Sequence, residues 1–141
     1  MKKKLNCILL VDDDKDFNFI HERLLKKMNC VDSIEVAANG KMALDFIMSN
    51  KCKPNIIFLD INMPKMNGWE FLEAYNRLAE DEKANITIVM LTSSLNTDDK
   101  TKAETFGCVR SFVTKPLDIE SVEKILMLYF RDHGMASHGA D

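Results

Sequence analysis

Five short apolar runs alternate with longer stretches in which apolar side chains recur every three or four positions. The short runs fall at 6–11, 33–37, 55–60, 86–91 and 109–114. Four of them are nearly continuous, as parallel strands covered on both faces should be. The exception, Ser33-Ile34-Glu35-Val36-Ala37, alternates polar with apolar. Helical spacing begins at about 15–28, where Phe17, Ile20, Leu24 and Met28 recur on one stripe. It returns at about 41–48 after Asn39-Gly40, and at 69–78, where Phe71, Leu72 and Tyr75 can share a face. Two further helices are predicted over 98–106, with Gly107 as C-cap, and over 119–130. Strands and helices in strict alternation, five of each, predict an α/β fold with a doubly wound parallel sheet. Right-handed crossovers then carry the carboxyl end of every strand to one rim.

A length of 141 residues suits one domain with one core. The expected limits are a folded unit over 1–131 and a flexible tail over 132–141, which is small and polar apart from Met135. A net charge of −3 gives no reason to expect direct nucleic-acid binding, and Lys2-Lys3-Lys4 is too short to form a patch. No stretch approaches the ~20 apolar residues of a membrane span, and the start of the chain lacks a secretory signal pattern. Cys7, Cys30, Cys52 and Cys108 are spaced for neither a zinc site nor a disulfide framework. Reduced thiols and a cytoplasmic location are expected.

The rim concentrates the chemistry. Asp12, Asp13 and Asp14 follow the first strand, and Asp60 ends the third. Thr92 and Ser93 follow the fourth, and Lys115 closes the fifth. Carboxylates released at one end of a sheet make a hard, oxygen-rich pocket suited to Mg²⁺. A carboxylate nucleophile, a divalent ion, a hydroxyl and an ammonium are the parts that aspartyl-phosphate chemistry requires. Asp14 and Asp16 are also well placed to cap the first helix. Asp12-x-Asp14-x-Asp16 is no calcium loop, because Phe17 stands where Gly is needed and Arg23 where the closing Glu belongs.

Four short motifs in order, each at a predicted strand end, carry a resemblance. Val11-Asp12-Asp13-Asp14, Leu59-Asp60-Ile61-Asn62-Met63-Pro64, Leu91-Thr92-Ser93 and Thr114-Lys115-Pro116 are similar to those of the receiver domains of two-component response regulators. The similarity spans about residues 5–130 and implies the flavodoxin-like strand order 2-1-3-4-5. It implies Asp60 as phosphoryl acceptor, with Asp13 binding Mg²⁺ directly, Asp12 acting mainly through coordinated water, and Asn62 offering its backbone carbonyl. Thr92 would bond a phosphoryl oxygen, and Lys115 would pair with the phosphoryl group or the free carboxylate. A cis Lys115-Pro116 bond is implied as well. Phe112 occupies the position of the family's switch aromatic, where a Tyr is frequent; as Phe it donates no hydroxyl hydrogen bond.

The implied partners are a sensor histidine kinase or a histidine phosphotransfer protein upstream and an unidentified protein downstream. The unit would be a monomer or weak dimer, without membrane insertion. It would be a signalling module rather than an enzyme, catalysing its own phosphotransfer and autodephosphorylation only. No output domain is expected after the fifth helix, and the expected output is a protein contact or relay to another histidine. A haloacid-dehalogenase-like phosphatase would carry a second acid where Asn62 stands, and a nucleotide binder would need a Gly-rich loop after the first strand. A scaffold that is never phosphorylated is the remaining alternative. His21 is expected to be an exposed helix residue. Met63 and Met66 are expected to fill gaps in the core or to face a partner.

Overall fold

The computed structural model describes residues 4–49, 51–83, 85–93 and 96–130. β1 (Leu5–Val11), β2 (Val31–Ala37), β3 (Ile56–Asp60), β4 (Thr87–Thr92) and β5 (Val109–Thr114) form one sheet in the order β2-β1-β3-β4-β5. Every pairing is parallel, so the doubly wound architecture is as expected. The helices are α1 (Lys15–Met28), α2 (Gly40–Met48), α3 (Gly68–Asn76), α4 (Glu80–Lys83), α5 (Thr97–Glu104) and α6 (Ile119–Tyr129). Among the described residues that is one more than the five expected. α4 is a single turn of Glu-Asp-Glu-Lys with no buried residue, and so carries no apolar period by which to find it. The expected tail over 132–141 lies outside the described residues.

The sheet separates two cores. Ile8, Leu10, Phe58, Val89 and Leu91 pack with Leu25 and Met28 of α1 and Val122, Ile125 and Leu126 of α6. On the opposite face, Leu9, Val11, Ile57, Leu59, Ile88 and Met90 pack with Ala43, Ile47, Phe71, Leu72, Tyr75 and Ala103 from α2, α3 and α5. Both faces being covered explains why β1, β3 and β4 read as unbroken apolar runs. Each fully buried Leu, Ile or Phe contributes about 1.5–3 kcal/mol.

Three local expectations are corrected. The buried stripe of α1 is Asn18, His21, Leu25 and Met28, while Phe19 and Ile20 stand 61% and 47% exposed. The helix is rotated from the purely apolar choice because two polar side chains find backbone partners inside. His21, expected to be exposed, is therefore buried. Gly107 does not cap α5; Thr105 does so, in ordinary right-handed geometry. Met63 is buried, whereas Met66 is half-buried and packs over Gly40, where an added Cβ would lie 2.7 Å from its Cγ.

The two helices that flank β5 are held unequally. The Tyr129 hydroxyl at the end of α6 donates to the Arg110 carbonyl at 2.9 Å and lies 3.0 Å from Ser111 Oγ. α5 buries only Ala103. Its other anchor is a stack: Trp69 of α3 lies 6.1 Å from the Phe106 ring, with Lys102 Nζ 4.7 Å above the indole. Between α5 and α6, over β5, runs a groove of about 460 Å³.

Candidate functional site

Register sets the site. Val11 pairs with Leu59, Asp60 with Leu91, and Thr92 with Thr114, so β1, β3, β4 and β5 end level with one another. The three consecutive acids after β1 then take different environments. Asp12 is buried, and its Oδ1 accepts the Asp14 amide at 2.9 Å. Asp13 is exposed. Asp14 is the N-cap of α1, its Oδ1 accepting from the amides of Asp16 at 2.9 Å and Phe17 at 3.2 Å. Asp16 lies in the first turn, where its negative charge favours the helix dipole.

Lys115 closes the site from β5. Its ammonium donates to Asp12 Oδ2 at 2.7 Å and lies 3.2 Å from Asp60 Oδ1, with the side chain only 6% exposed. The Phe17 ring lies beneath it, 4.5 Å from Nζ. The Lys115-Pro116 bond is cis. Carboxylate oxygens of Asp12, Asp13 and Asp60 all lie within 4.8 Å of one another. Burial, and then the charge of Asp12, push the Asp60 carboxyl from its ordinary 3.8 up to about 6, against the pull of Lys115. Burial also works against the Lys115 ammonium. The hydrogen bond to Asp12 and the charge of Asp60 outweigh it and raise the lysine pKa.

Thr92, at the end of β4, is buried, and its carbonyl accepts the Lys115 amide at 2.7 Å. The N-cap of α5 is Asn96, whose Oδ1 accepts from the amides of Asp98 and Asp99. Asn62 is exposed, two residues beyond Asp60. The loop there folds back so closely that a Cβ on Gly68 would lie 2.7 Å from the Asp60 carbonyl oxygen, which requires glycine. Asn67 and Glu70 form a reciprocal capping box that starts α3 just after this turn. Phe112 is half-buried on β5, against the α5 side of the sheet, and lines the groove.

Phe17, Asn18 and His21 were not anticipated as parts of the site. Asn18 Nδ2 donates to the Asp12 carbonyl at 2.8 Å, and His21 Nε2 accepts the Leu117 amide at 3.1 Å. Burial keeps the imidazole pKa below its ordinary value, so the neutral, accepting form persists. The available signal was positional: polar residues three apart on a helix that begins at the acidic loop.

Three carboxylates facing one ammonium leave excess negative charge, and their oxygen donors suit a hard divalent cation. Burial first, and the charge of Asp12 after it, raise the Asp60 pKa in this setting. A partly shielded carboxylate at the end of a central strand, with a fixed ammonium beside it, is equipped to receive an electrophile and hold the anion that results.

This fold and this acidic rim define a receiver-type signalling module. Residues 8–127 match the response regulator receiver domain, and the chain belongs to that family of two-component signalling proteins. The crystal structure of a two-component response regulator from Cytophaga hutchinsonii is similar with a TM-score of 0.83 and 30% identity, covering 92% of this chain and 99% of that one. The probable methanogenesis regulatory protein FilR2 of Methanothrix harundinacea is 30% identical over 83% of this chain and 76% of its own length. A protein-glutamate methylesterase/protein-glutamine glutaminase of Treponema pallidum is 32% identical over 82% of this chain, but the match spans only 27% of that relative. No helix among the described residues is long and apolar enough to cross a membrane.

Proposed function

We propose that this receiver domain takes a phosphoryl group from the phosphohistidine of a sensor kinase or a histidine phosphotransfer protein onto Asp60. The observation that carries the reading is the meeting of Asp60 with Lys115 at 3.2 Å and with the oxygens of Asp12 and Asp13 within 4.8 Å. An Asp60 carboxylate oxygen forms the new O–P bond as the P–N bond to the donor imidazole breaks. The leaving nitrogen keeps the bonding pair and is protonated from solvent. Mg²⁺ held by Asp12, Asp13, Asp60 and the Asn62 carbonyl would neutralise phosphoryl oxygens and relieve the repulsion among the acids. Lys115 supplies a fixed positive charge on one side of the incoming group, and Thr92 a hydroxyl on the other.

Phosphorylation adds charge and acceptor oxygens to the rim. Thr92 moves toward them, and Phe112 repacks into the space released, through packing alone since it lacks a hydroxyl. The output face is α5, β5 and α6, where Lys100, Lys102, Glu104, Arg110 and Glu120 are exposed, and of these Lys100, Glu104 and Arg110 line the groove. The two states differ by a few kcal/mol, so the modification shifts a population. The domain acts in the cytoplasm as a monomer or weak dimer, and as a signalling module rather than an enzyme with a substrate of its own.

Intact-protein mass after incubation with acetyl phosphate tests this reading. A single phosphoryl adduct that requires both Mg²⁺ and Asp60, and is absent from a folded Asp60→Asn variant, is expected. An adduct at this site persisting in Asp60→Asn, or no adduct from any phosphodonor including a phosphorylated protein, would overturn it.

A further inference from the structure

The geometry points to His21 as a positioning residue that holds the Lys115 ammonium between Asp12 and Asp60 by fixing the chain that follows it. The segment from Lys115 to Leu117 has two amide N–H groups, because Pro116 has none. The Lys115 amide donates to the Thr92 carbonyl at 2.7 Å, and the Leu117 amide donates to His21 Nε2 at 3.1 Å. Thr92 therefore pins the start of the segment to β4, and His21 pins its end to α1. Leu117 is itself 4% exposed, so its amide has little access to water as a substitute acceptor. Backbone held at both ends leaves Lys115 little freedom to carry its side chain away from the acids.

The imidazole also acts through Phe17, one turn earlier on the same helix. The rings of Phe17 and His21 lie 5.7 Å apart, and Lys115 Nζ sits 4.5 Å from the Phe17 centroid. One side of α1 thus supports the lysine twice, through a backbone acceptor and through the ring under its ammonium. A leucine at position 21 would fill much of the same space but could not accept the Leu117 amide. A glutamine could accept it.

The inference rests on the phosphoacceptor reading for its consequence, but its geometry is testable without it. Carbon-13 NMR of the lysine ε-carbons, with Lys115 assigned through Lys115→Arg, follows the ammonium directly. His21→Leu should displace the Lys115 resonance and speed exchange of the Leu117 amide, and His21→Gln should restore both. An unmoved Lys115 resonance in folded His21→Leu would overturn the proposal, whether or not the parent protein accepts a phosphoryl group. Where the parent is labelled, His21→Leu should slow adduct formation from acetyl phosphate about tenfold, as expected for a misplaced charged group. In a Lys115→Ala background the same substitution should change the rate little, because the two act through one group. Equal slowing in both backgrounds would reduce His21 to a general packing role and overturn the proposal.

Discussion

α1 and α5 approach the same acidic rim from opposite faces of the sheet, and they are anchored in opposite ways. α1 buries Asn18, His21, Leu25 and Met28, and two of these bond to backbone on the rim itself. α5 buries Ala103 alone and otherwise leans on the Trp69–Phe106 stack. The acidic loop and the lysine segment are therefore built into the better-packed half of the molecule, while the element nearest the end of β4 is lightly held. Local opening should follow that division, since elements with few buried apolar contacts open at lower free energy. A site that keeps its charges fixed while a neighbouring helix remains free to shift needs such an asymmetry.

The contrast is broken most severely from the α1 side. Leu25→Ala should lower unfolding free energy by about 2–5 kcal/mol, whereas Ala103→Gly on α5 should lower it by about 1 kcal/mol. Denaturant titration of both variants is the check, and equal losses would mean the two helices are anchored alike.

The pH profile sharpens the comparison at the rim itself. Asp60 folded titrates near 6 but unfolded near 3.8, so the native state holds the proton longer. Its contribution is therefore lost as pH rises from about 4 through 6, on the order of 3 kcal/mol in all. Asp60→Asn should remove that slope and raise stability at pH 8 in the absence of divalent ions. His21 runs the other way. Its lowered pKa means that the unfolded chain takes up the proton first, so stability falls as pH drops below 6.5. In Asp60→Asn the acid-side loss from His21 should stand uncovered, and thermal unfolding across pH 4.5–8 in both proteins reads the two contributions apart.

Smaller effects come from the helix caps. Asn96→Ala removes the acceptor for the Asp98 and Asp99 amides and should cost about 1 kcal/mol. Because α5 has little else to hold it, that loss should appear as faster amide exchange confined to 97–104. Asp14→Ala removes the equivalent cap of α1 at similar cost, but exchange in the second half of α1 should barely change. The smallest effect belongs to the exposed Glu22–Lys26 pair at 3.2 Å, whose removal should change stability by about 0.5 kcal/mol or less.

Most of the architecture was legible because the sheet is buried on both faces. Ile56-Ile57-Phe58-Leu59 has no solvent face to encode, and an apolar run ending in an acid is a strand end in plain sight. Asp12, Asp60, Thr92 and Lys115 could be assigned to one rim because parallel strands with right-handed crossovers all end there. The phase of α1 was not legible. Hydrophobicity favours Phe17, Ile20 and Leu24, yet Asn18 and His21 turn inward because the rim offers them the Asp12 carbonyl and the Leu117 amide. Those partners come from chain segments adjacent only after folding, 96 residues away in the case of Leu117. α4 escaped for a different reason: a four-residue turn buries nothing and so leaves no period. The cap of α5 was misjudged because a glycine after a helix suggests left-handed closure, which this helix does not use.

The indole that stacks on Phe106 and carries the Lys102 ammonium over its ring belongs to the chain's only tryptophan. Its neighbours include the ammonium on α5 and the ring just beyond that helix, while the indole itself is rooted on α3 beside the Asp60 turn. Intrinsic emission at long ultraviolet wavelengths therefore comes from one known place, and its intensity depends on how closely α5 sits against α3. The protein carries its own optical gauge of the lightly held helix, readable in a stopped-flow cuvette without any attached dye.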